Sequence, residues 1–182
     1  MKIKPWPVKL GVLGFCVSVL WLVVPDARAS AVSDSQPGRE LIGRYIHYFA
    51  RNVSWPDAVF DASRAPFLVC MVGGDMLGVN VSTNLHGGRV KQHRIRVRRV
   101  EQGDVELLRS CQIVLIDKRA ASSIKEIIKP LDNLPVLTVS DAEGFAAQGG
   151  MIGFVGRGEQ VAMQLNRTVI ERAQLELGVL LK

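Results

Sequence analysis

The sequence predicts a Rossmann-like α/β fold, with a mostly parallel sheet and helices on both of its faces. Short apolar runs at 67–72, 112–117 and 135–139 are typical of buried strands, and segments with helical periodicity separate them. This alternation is the pattern of a parallel sheet covered by helices. Two further runs, at 151–155 and 160–165, flank a glycine-rich turn and predict an antiparallel C-terminal hairpin at one edge.

The first predicted helix spans 39–53 and is unusually aromatic. Its apolar residues, which include Tyr45 and Tyr48, recur at steps of three and four and therefore share one face. The helix ends before Trp55 and Pro56, because the residue before a proline avoids helical geometry. Tyr45, Tyr48 and Trp55 either contribute to a protein interface or cover the sheet as part of the core.

A helix from about residue 75 to 84 is expected after the first buried strand, where Gly73 and Gly74 precede Asp75. The free amides of its first turn offer a place for an anion, whereas the simpler interpretation makes Asp75 a helix cap. The segment matches neither the dinucleotide-binding motif nor a P-loop, so we favour the cap.

Arginine alternates with apolar side chains over residues 94–100, which predicts a strand with one exposed face. Arg94, Arg96 and Arg98 share that face. They form either a site for an acidic partner or a phosphate, or a solvated edge strand protected by its charges, which is the simpler interpretation. No aromatic residue interleaves with the arginines, so nucleic-acid binding is not supported.

Three further helices complete the predicted fold. They are expected at 104–109, at 121–129, where Pro130 stops the helix, and at 168–181. We expect the last helix to turn inward the residues Val169, Ile170, Ala173, Leu177, Leu180 and Leu181.

Residues 1–29 have the parts of a secretory signal peptide: a basic start, an apolar core at 10–24, and a small-x-small cleavage motif at 27–29. The core is shorter than the roughly 20 residues of a membrane span, although an uncleaved anchor is the alternative. We therefore expect an exported protein. Residues 30–38 are expected to form a disordered lead-in, and residues 39–182 a single domain.

The net charge of the mature chain does not argue for a nucleic-acid partner either. The leader holds four basic residues and one acidic residue, so its removal lowers the formal charge from +6 to +3. Much of the basic character therefore belongs to the leader rather than to the mature domain.

Two cysteines, Cys70 and Cys111, remain after cleavage. An even count in an exported chain favours a disulfide, and two buried free thiols are the alternative. The spacing and the absence of a nearby histidine do not fit a metal site. Parallel strands in simple register would hold the two cysteines too far apart, so a bridge requires staggered strands or different strand boundaries.

The sequence contains no recognisable catalytic motif, and we expect neither an enzyme nor a cofactor. The histidines His47, His86 and His93 lack metal-ligand spacing and are expected at the surface or at helix boundaries. Ser140 and Asp141 follow a strand, where α/β proteins place functional groups. Without a partner base, a turn or cap is the favoured interpretation.

Three blocks in order resemble one family. The segments are 45–56, an aromatic helix ending in Trp-Pro; 66–73 and 111–116, two cysteine-bearing strands; and 136–154, with Ser-Asp, Gly-Phe and Gly-Gly-Met-Ile. Together they resemble the YfiR family over nearly all of the mature chain. The first block departs from the family where His47 and Tyr48 replace its usual Tyr-Asn, and where residues 52–54 replace its usual Phe-x-Glu.

The resemblance implies a periplasmic repressor that binds the sensor region of an inner-membrane diguanylate cyclase and lowers cyclic di-GMP and biofilm formation. It implies an outer-membrane lipoprotein as a second partner, and a disulfide between Cys70 and Cys111 whose state tunes the stability of the repressor. A second copy of the chain is a further candidate partner.

Two other functions stay open at this point. One is a periplasmic module that senses a small ligand such as a nucleotide or an amino acid, bound near Gly73 or at the arginines. The other is an exported α/β enzyme, against which the absence of motifs already counts.

Overall fold

A computed structural model of the protein describes residues 31–60, 65–157 and 160–178, apart from the side chains of Asp75 and Met76. The predicted signal peptide at 1–29 lies outside the described residues. So do Leu180 and Leu181 of the predicted last helix.

The described chain forms five α-helices and nine strands. The helices are α1 (Gln36–Asn52), α2 (Asp75–Leu85), α3 (Val105–Arg109), α4 (Ile124–Ile128) and α5 (Arg167–Arg172). The strands are β1 (Val53–Ser54), β2 (Phe67–Val72), β3 (Arg89–Val90), β4 (His93–Val100), β5 (Ile113–Ile116), β6 (Leu137–Ser140), β7 (Ile152–Arg157), β8 (Gln160–Leu165) and β9 (Glu176–Leu177). Short 3₁₀ turns flank α4, where the sequence predicts one longer helix.

Seven strands form one mostly parallel sheet in the order β3-β4-β2-β5-β6-β7-β8. The five central strands are parallel, and β3 and β8 pair antiparallel with their neighbours at the two edges. The predicted α/β class and the antiparallel C-terminal hairpin, β7–β8, are therefore confirmed. A separate two-stranded sheet joins β1 to β9.

The two faces of the sheet are covered unequally. On one face α1, α2 and α5 enclose the larger core, whose fully buried side chains include Ile46, Phe49 and Phe67. On the other face the two five-residue helices α3 and α4 cover a smaller core around Leu108 and Ile124. Helices thus lie on both faces, as a parallel sheet requires.

Helix α1 begins earlier than predicted because its cap lies in the segment expected to be a disordered lead-in. The Ser35 hydroxyl oxygen accepts a hydrogen bond from the Gly38 amide at 3.0 Å, and Pro37 occupies the first turn. Residues 31–35 form an N-terminal strap that includes a 3₁₀ turn and buries Val32. The strap crosses the first turn of α1, where a side chain at position 38 would overlap the Val32 carbonyl oxygen.

The end of the chain differs from the predicted long helix. Helix α5 stops at Arg172, and Gln174 adopts a left-handed backbone conformation with φ 56°. The chain then turns back so that Leu177 pairs with Val53, and the Gly178 amide donates to the Asn52 carbonyl oxygen at 2.8 Å. Strand pairing with the end of α1 therefore overrides the helical periodicity of this segment.

The inward face predicted for that segment is partly correct. Ile170 and Ala173 are buried, and Val169 and Leu177 are half-buried against the larger core. Leu177 reaches this core from a strand rather than from a helix.

Cys70 and Cys111 form a disulfide, and their Cα atoms are 6.0 Å apart. The bridge exists because Cys111 lies outside the ladder, in the turn between α3 and β5, and reaches Cys70 on the face of the smaller core. Within the ladder Cys70 pairs with Val114. The two cysteines are therefore close enough for a bridge because Cys111 lies in this turn, and not at a ladder position of β5.

The turn that leads into the hairpin packs closely around one aromatic ring. Phe145 is almost completely buried, and Gly149 has a positive φ of 102°. A side chain at Gly150 would overlap the Phe145 ring, so this position needs glycine for close packing.

The disulfide closes a loop across 41 positions, and replacing both cysteines with serine should lower the free energy of unfolding by about 4 kcal/mol. The reason is the larger conformational freedom of the unfolded chain without the bridge. Urea unfolding of the mature protein, followed by far-UV circular dichroism, measures the change. A loss below about 1 kcal/mol, or reaction of Cys70 or Cys111 with maleimide in the unfolded oxidised protein, would contradict the prediction.

Candidate functional site

The carboxyl ends of β2 and β5 flank the point where the strand order reverses, which is where open α/β sheets bind ligands. Gly73 and Gly74 leave β2 there, and Asp117 follows β5. The helix α2 begins at Asp75 with Gly74 in the capping position, so the interpretation of Asp75 as the cap is wrong by one residue.

The chain's own Arg119 lies at this place, with its side chain partly exposed. A side chain at Gly74 would overlap the Arg119 guanidinium group, which therefore lies against the start of α2. The guanidinium Nε and terminal nitrogen donate to the two carboxylate oxygens of Asp117 at 2.9 and 3.0 Å. Asp117 is 5 % exposed, and it also accepts the Arg119 amide, so it caps the following turn.

Burial opposes ionisation of Asp117, but the hydrogen bonds from Arg119 outweigh it and hold the pKa of this carboxyl below its usual 3.8. The carboxylate and guanidinium neutralise each other at the place where an anion was considered in the sequence. A ligand at the start of α2 would have to displace Arg119 from a bidentate pair.

The N-terminal strap closes the neighbouring part of the same edge. The Ser33 amide donates to a carboxylate oxygen of Asp141 at 2.7 Å, and Asp34 pairs with Lys118. The hydrogen bond from Lys118 lowers the pKa of Asp34. Arg39 secures the strap from α1 by donating to the Ser33 carbonyl oxygen at 2.9 Å.

Ser140 and Asp141 act as a turn, as the sequence analysis favoured. The Ser140 hydroxyl donates to the Ile116 carbonyl oxygen at 2.7 Å and accepts from the Ala142 amide at 3.0 Å. Both bonds are buried; the first ties β6 to β5, and the second closes the turn after β6. In the described ranges no cluster of histidine, cysteine or carboxylate side chains could hold a metal ion.

One histidine is placed differently from the expectation. His93 is buried, its ring lies 4.8 Å from the Phe60 ring, and its Nδ1 is 2.6 Å from the Ala65 carbonyl oxygen. His47 is half-buried on α1 and His86 is exposed after α2. Phe60 is distant from His93 along the chain, so the sequence around His93 did not predict that its ring would be buried.

The three aromatic residues considered for an interface occupy different environments. Trp55 is buried and packs edge-on against Phe67 with ring centroids 5.0 Å apart. Tyr45 and Tyr48 are half-buried on α1 and both contact Phe49. These contacts place all three residues at the larger core, with only the tyrosines reaching the surface.

Arg94, Arg96 and Arg98, here called the arginine stripe, are all exposed on one face of β4. Cys70 lies opposite Arg98 in the ladder, and Val100 continues the same alternation into the smaller core. The stripe therefore lies on the thinly covered face of the sheet, the face of the smaller core. Among the described residues it forms no ion pair and no side-chain hydrogen bond.

Within the described part of the chain, the arginine stripe thus remains the one feature predicted from the sequence that is exposed, lies on a paired strand and has no acidic partner.

Over residues 39–181 the sequence matches the family described as YfiR/HmsC-like. The chain belongs to this family. The resemblance drawn from the three sequence blocks is therefore confirmed.

Members of the YfiR/HmsC-like family are regulatory, non-catalytic periplasmic proteins, and membership supports a general role in regulating diguanylate cyclase signalling. A search of curated proteins finds no match. None of the helices in the described residues is long and apolar enough to span a membrane.

Replacing Asp117 with asparagine should lower the free energy of unfolding by about 1 kcal/mol at pH 7, because it removes the charge that holds Arg119. A carboxyl with a lowered pKa stabilises the fold above its usual value of 3.8 and loses that effect as the pH falls through the lowered value. The difference between the two proteins should therefore be smaller at pH 3 than at pH 7.

Urea unfolding at both pH values measures this difference. Asp57→Asn is a matched control, because Asp57 is 97 % exposed in its pair with Lys91 and should matter little. A difference for Asp117→Asn that is absent at pH 7, or that persists undiminished in acid, would rule out this account of the pair.

Proposed function

We propose that this protein is a periplasmic repressor that binds the periplasmic sensor region of an inner-membrane diguanylate cyclase and thereby lowers cyclic di-GMP and biofilm formation. The observation that carries the proposal is the arginine stripe, which is exposed and has no acidic partner among the described residues. Charged surfaces of this kind direct association with partners of opposite charge.

The scaffold suits a binding surface because it fixes the stripe before a partner arrives. β4 pairs with the central strand β2 along Phe67–Val72, and Ile95 anchors its opposite face in the larger core. The backbone then loses little conformational freedom on binding, which leaves more of the interaction energy for affinity.

The carboxyl edge of the sheet supports a binding role over a catalytic or ligand-sensing one. Arg119 and the N-terminal strap occupy the place where other α/β proteins bind their ligands. A nucleotide or amino acid at that edge would first have to break the Asp117–Arg119 pair. We therefore propose that the protein has no enzymatic activity of its own.

Further partners follow from the same proposal. An outer-membrane lipoprotein would sequester the repressor and release the cyclase. The half-buried rings of Tyr45 and Tyr48 would extend an interface on α1, with either that lipoprotein or a second copy of the chain, while Trp55 supports them from the core.

Deleting the gene should raise cyclic di-GMP at least about twofold, because the cyclase loses its repressor. Mass spectrometry of cell extracts measures the nucleotide. The wild-type gene should restore the low level, whereas a variant with Arg94→Glu and Arg96→Glu should not, since reversed charges repel an acidic partner.

The matched control reverses two exposed charges elsewhere, Lys125→Glu on α4 and Arg167→Glu on α5, and should restore repression fully. Deleting the cyclase as well should abolish the rise. A nucleotide level that stays flat on deletion in every growth condition would refute the proposed function.

A further inference from the structure

Within the described part of the chain, the outer edge of β4 has a strand partner only at its first residues. The short strand β3 pairs only with His93 and Arg94, and the Ile95 amide donates to the Gly88 carbonyl oxygen at 3.0 Å. Because main-chain groups alternate sides along a strand, those of Val97 point to the same outer edge as those of Ile95. In the described residues no strand pairs with the edge at Val97.

A cleft of about 500 Å³ runs along this edge. The end of α2 forms one wall through Ser82 and His86, and β4 forms the other wall from Arg94 to Val97. The edge is thus accessible, and it has a second wall against which an added chain segment would pack.

The arginines lie where an added strand would present its side chains. Residues directly opposite each other on neighbouring strands share a face of the sheet. Alternate residues of a strand are about 7 Å apart, so carboxylates two positions apart would face Arg96 and Arg98 in turn, beyond the end of β3, with Arg94 next to them in the row. Arg89 continues the row, because it lies opposite Arg94 on β3 and is exposed.

A second copy of this chain does not fit the edge. Pairing β4 with β4 would place arginines against arginines, and like charges directly opposite are destabilising. The other edge strand, β8, reads Gln-Val-Ala-Met-Gln-Leu and offers no carboxylate. The arginines therefore disfavour self-association and leave the edge open to a partner of opposite charge.

We propose that the outer edge of β4 accepts an extended segment of a protein partner, with acidic side chains at alternate positions, as an added strand of the sheet. The main chain at Val97 supplies the hydrogen bonds of the strand pairing, and the arginine stripe selects segments whose carboxylates have the matching spacing. The inference rests on the proposed function in that it names the chemistry of the partner segment, but its test needs only the purified protein.

The probe is a short synthetic peptide that alternates glutamate with valine or threonine, titrated into the protein by NMR and fluorescence anisotropy. Binding should be saturable and should weaken as salt is added. The matching glutamine peptide should bind about tenfold more weakly or not at all. The bound peptide should slow hydrogen exchange of the Val97 amide at least about tenfold.

Strand pairing is separated from simple charge attraction by two N-methylated peptides, each blocked at one set of alternate amides. One set should abolish binding and the other should be tolerated, because an added strand pairs through one of its edges only. On the protein side, Arg94→Glu with Arg96→Glu should weaken binding about tenfold or more, while Lys125→Glu with Arg167→Glu should leave it unchanged.

The inference is overturned if the acidic and glutamine peptides bind alike, if both N-methylated peptides bind as well as the parent, or if exchange at Val97 stays unchanged. It is also overturned if the arginines bind anionic phosphatidylglycerol vesicles or single-stranded DNA but not the acidic peptide. A failed peptide test together with raised cyclic di-GMP on deletion would reject the added strand and leave the repressor.

Discussion

Both faces of a parallel sheet have to be covered by other parts of the chain. In this protein very few helical residues cover one of the two faces. The larger core lies under the 17-residue α1 and its neighbours, whereas α3 and α4 have five residues each. The Cys70–Cys111 bridge ties the turn after α3 directly to the central strand β2. The covalent bond thus holds the thin layer in place where apolar contact area is small.

The thin layer also determines what the protein presents to its surroundings. On this face of β4 only Val100 belongs to the smaller core, and the strand carries exposed arginines instead of apolar residues before it. At the carboxyl edge the opposite holds, since Arg119 pairs with Asp117 and the strap bonds to Asp141. Arg119 and the strap lie where related architectures bind small molecules, whereas no strand in the described residues pairs with the edge of β4 at Val97.

The sequence predicted the sheet well because its strands are short, fully apolar and separated by helical patterns. It failed where the outcome depended on contacts distant in sequence. Leu177 belongs to a strand because Val53 is available to pair with it, and Val32 is ordered because α1 offers it a buried place. His93 is buried because Phe60 lies beside it.

The candidate site, like the fold, could be predicted from the sequence only in part. The arginine stripe is visible in the sequence, since its period of two is local. The neutralising pair at the start of α2 is not visible, because Arg119 lies far from Gly74 along the chain. No sequence motif at Gly74 or Arg119 predicts that the two residues are in contact.

The strap has a consequence for where the folded unit starts. The family match begins at residue 39, yet the first described residue that packs into the fold is Val32. A protein trimmed to the matched region would lose the Ser35 cap of α1 and the Ser33 amide that Asp141 accepts from. It would also open the carboxyl edge of the sheet to solvent. An affinity tag fused directly before Ala31 would press on that same edge, so any added sequence at this end of the molecule should begin with a flexible spacer.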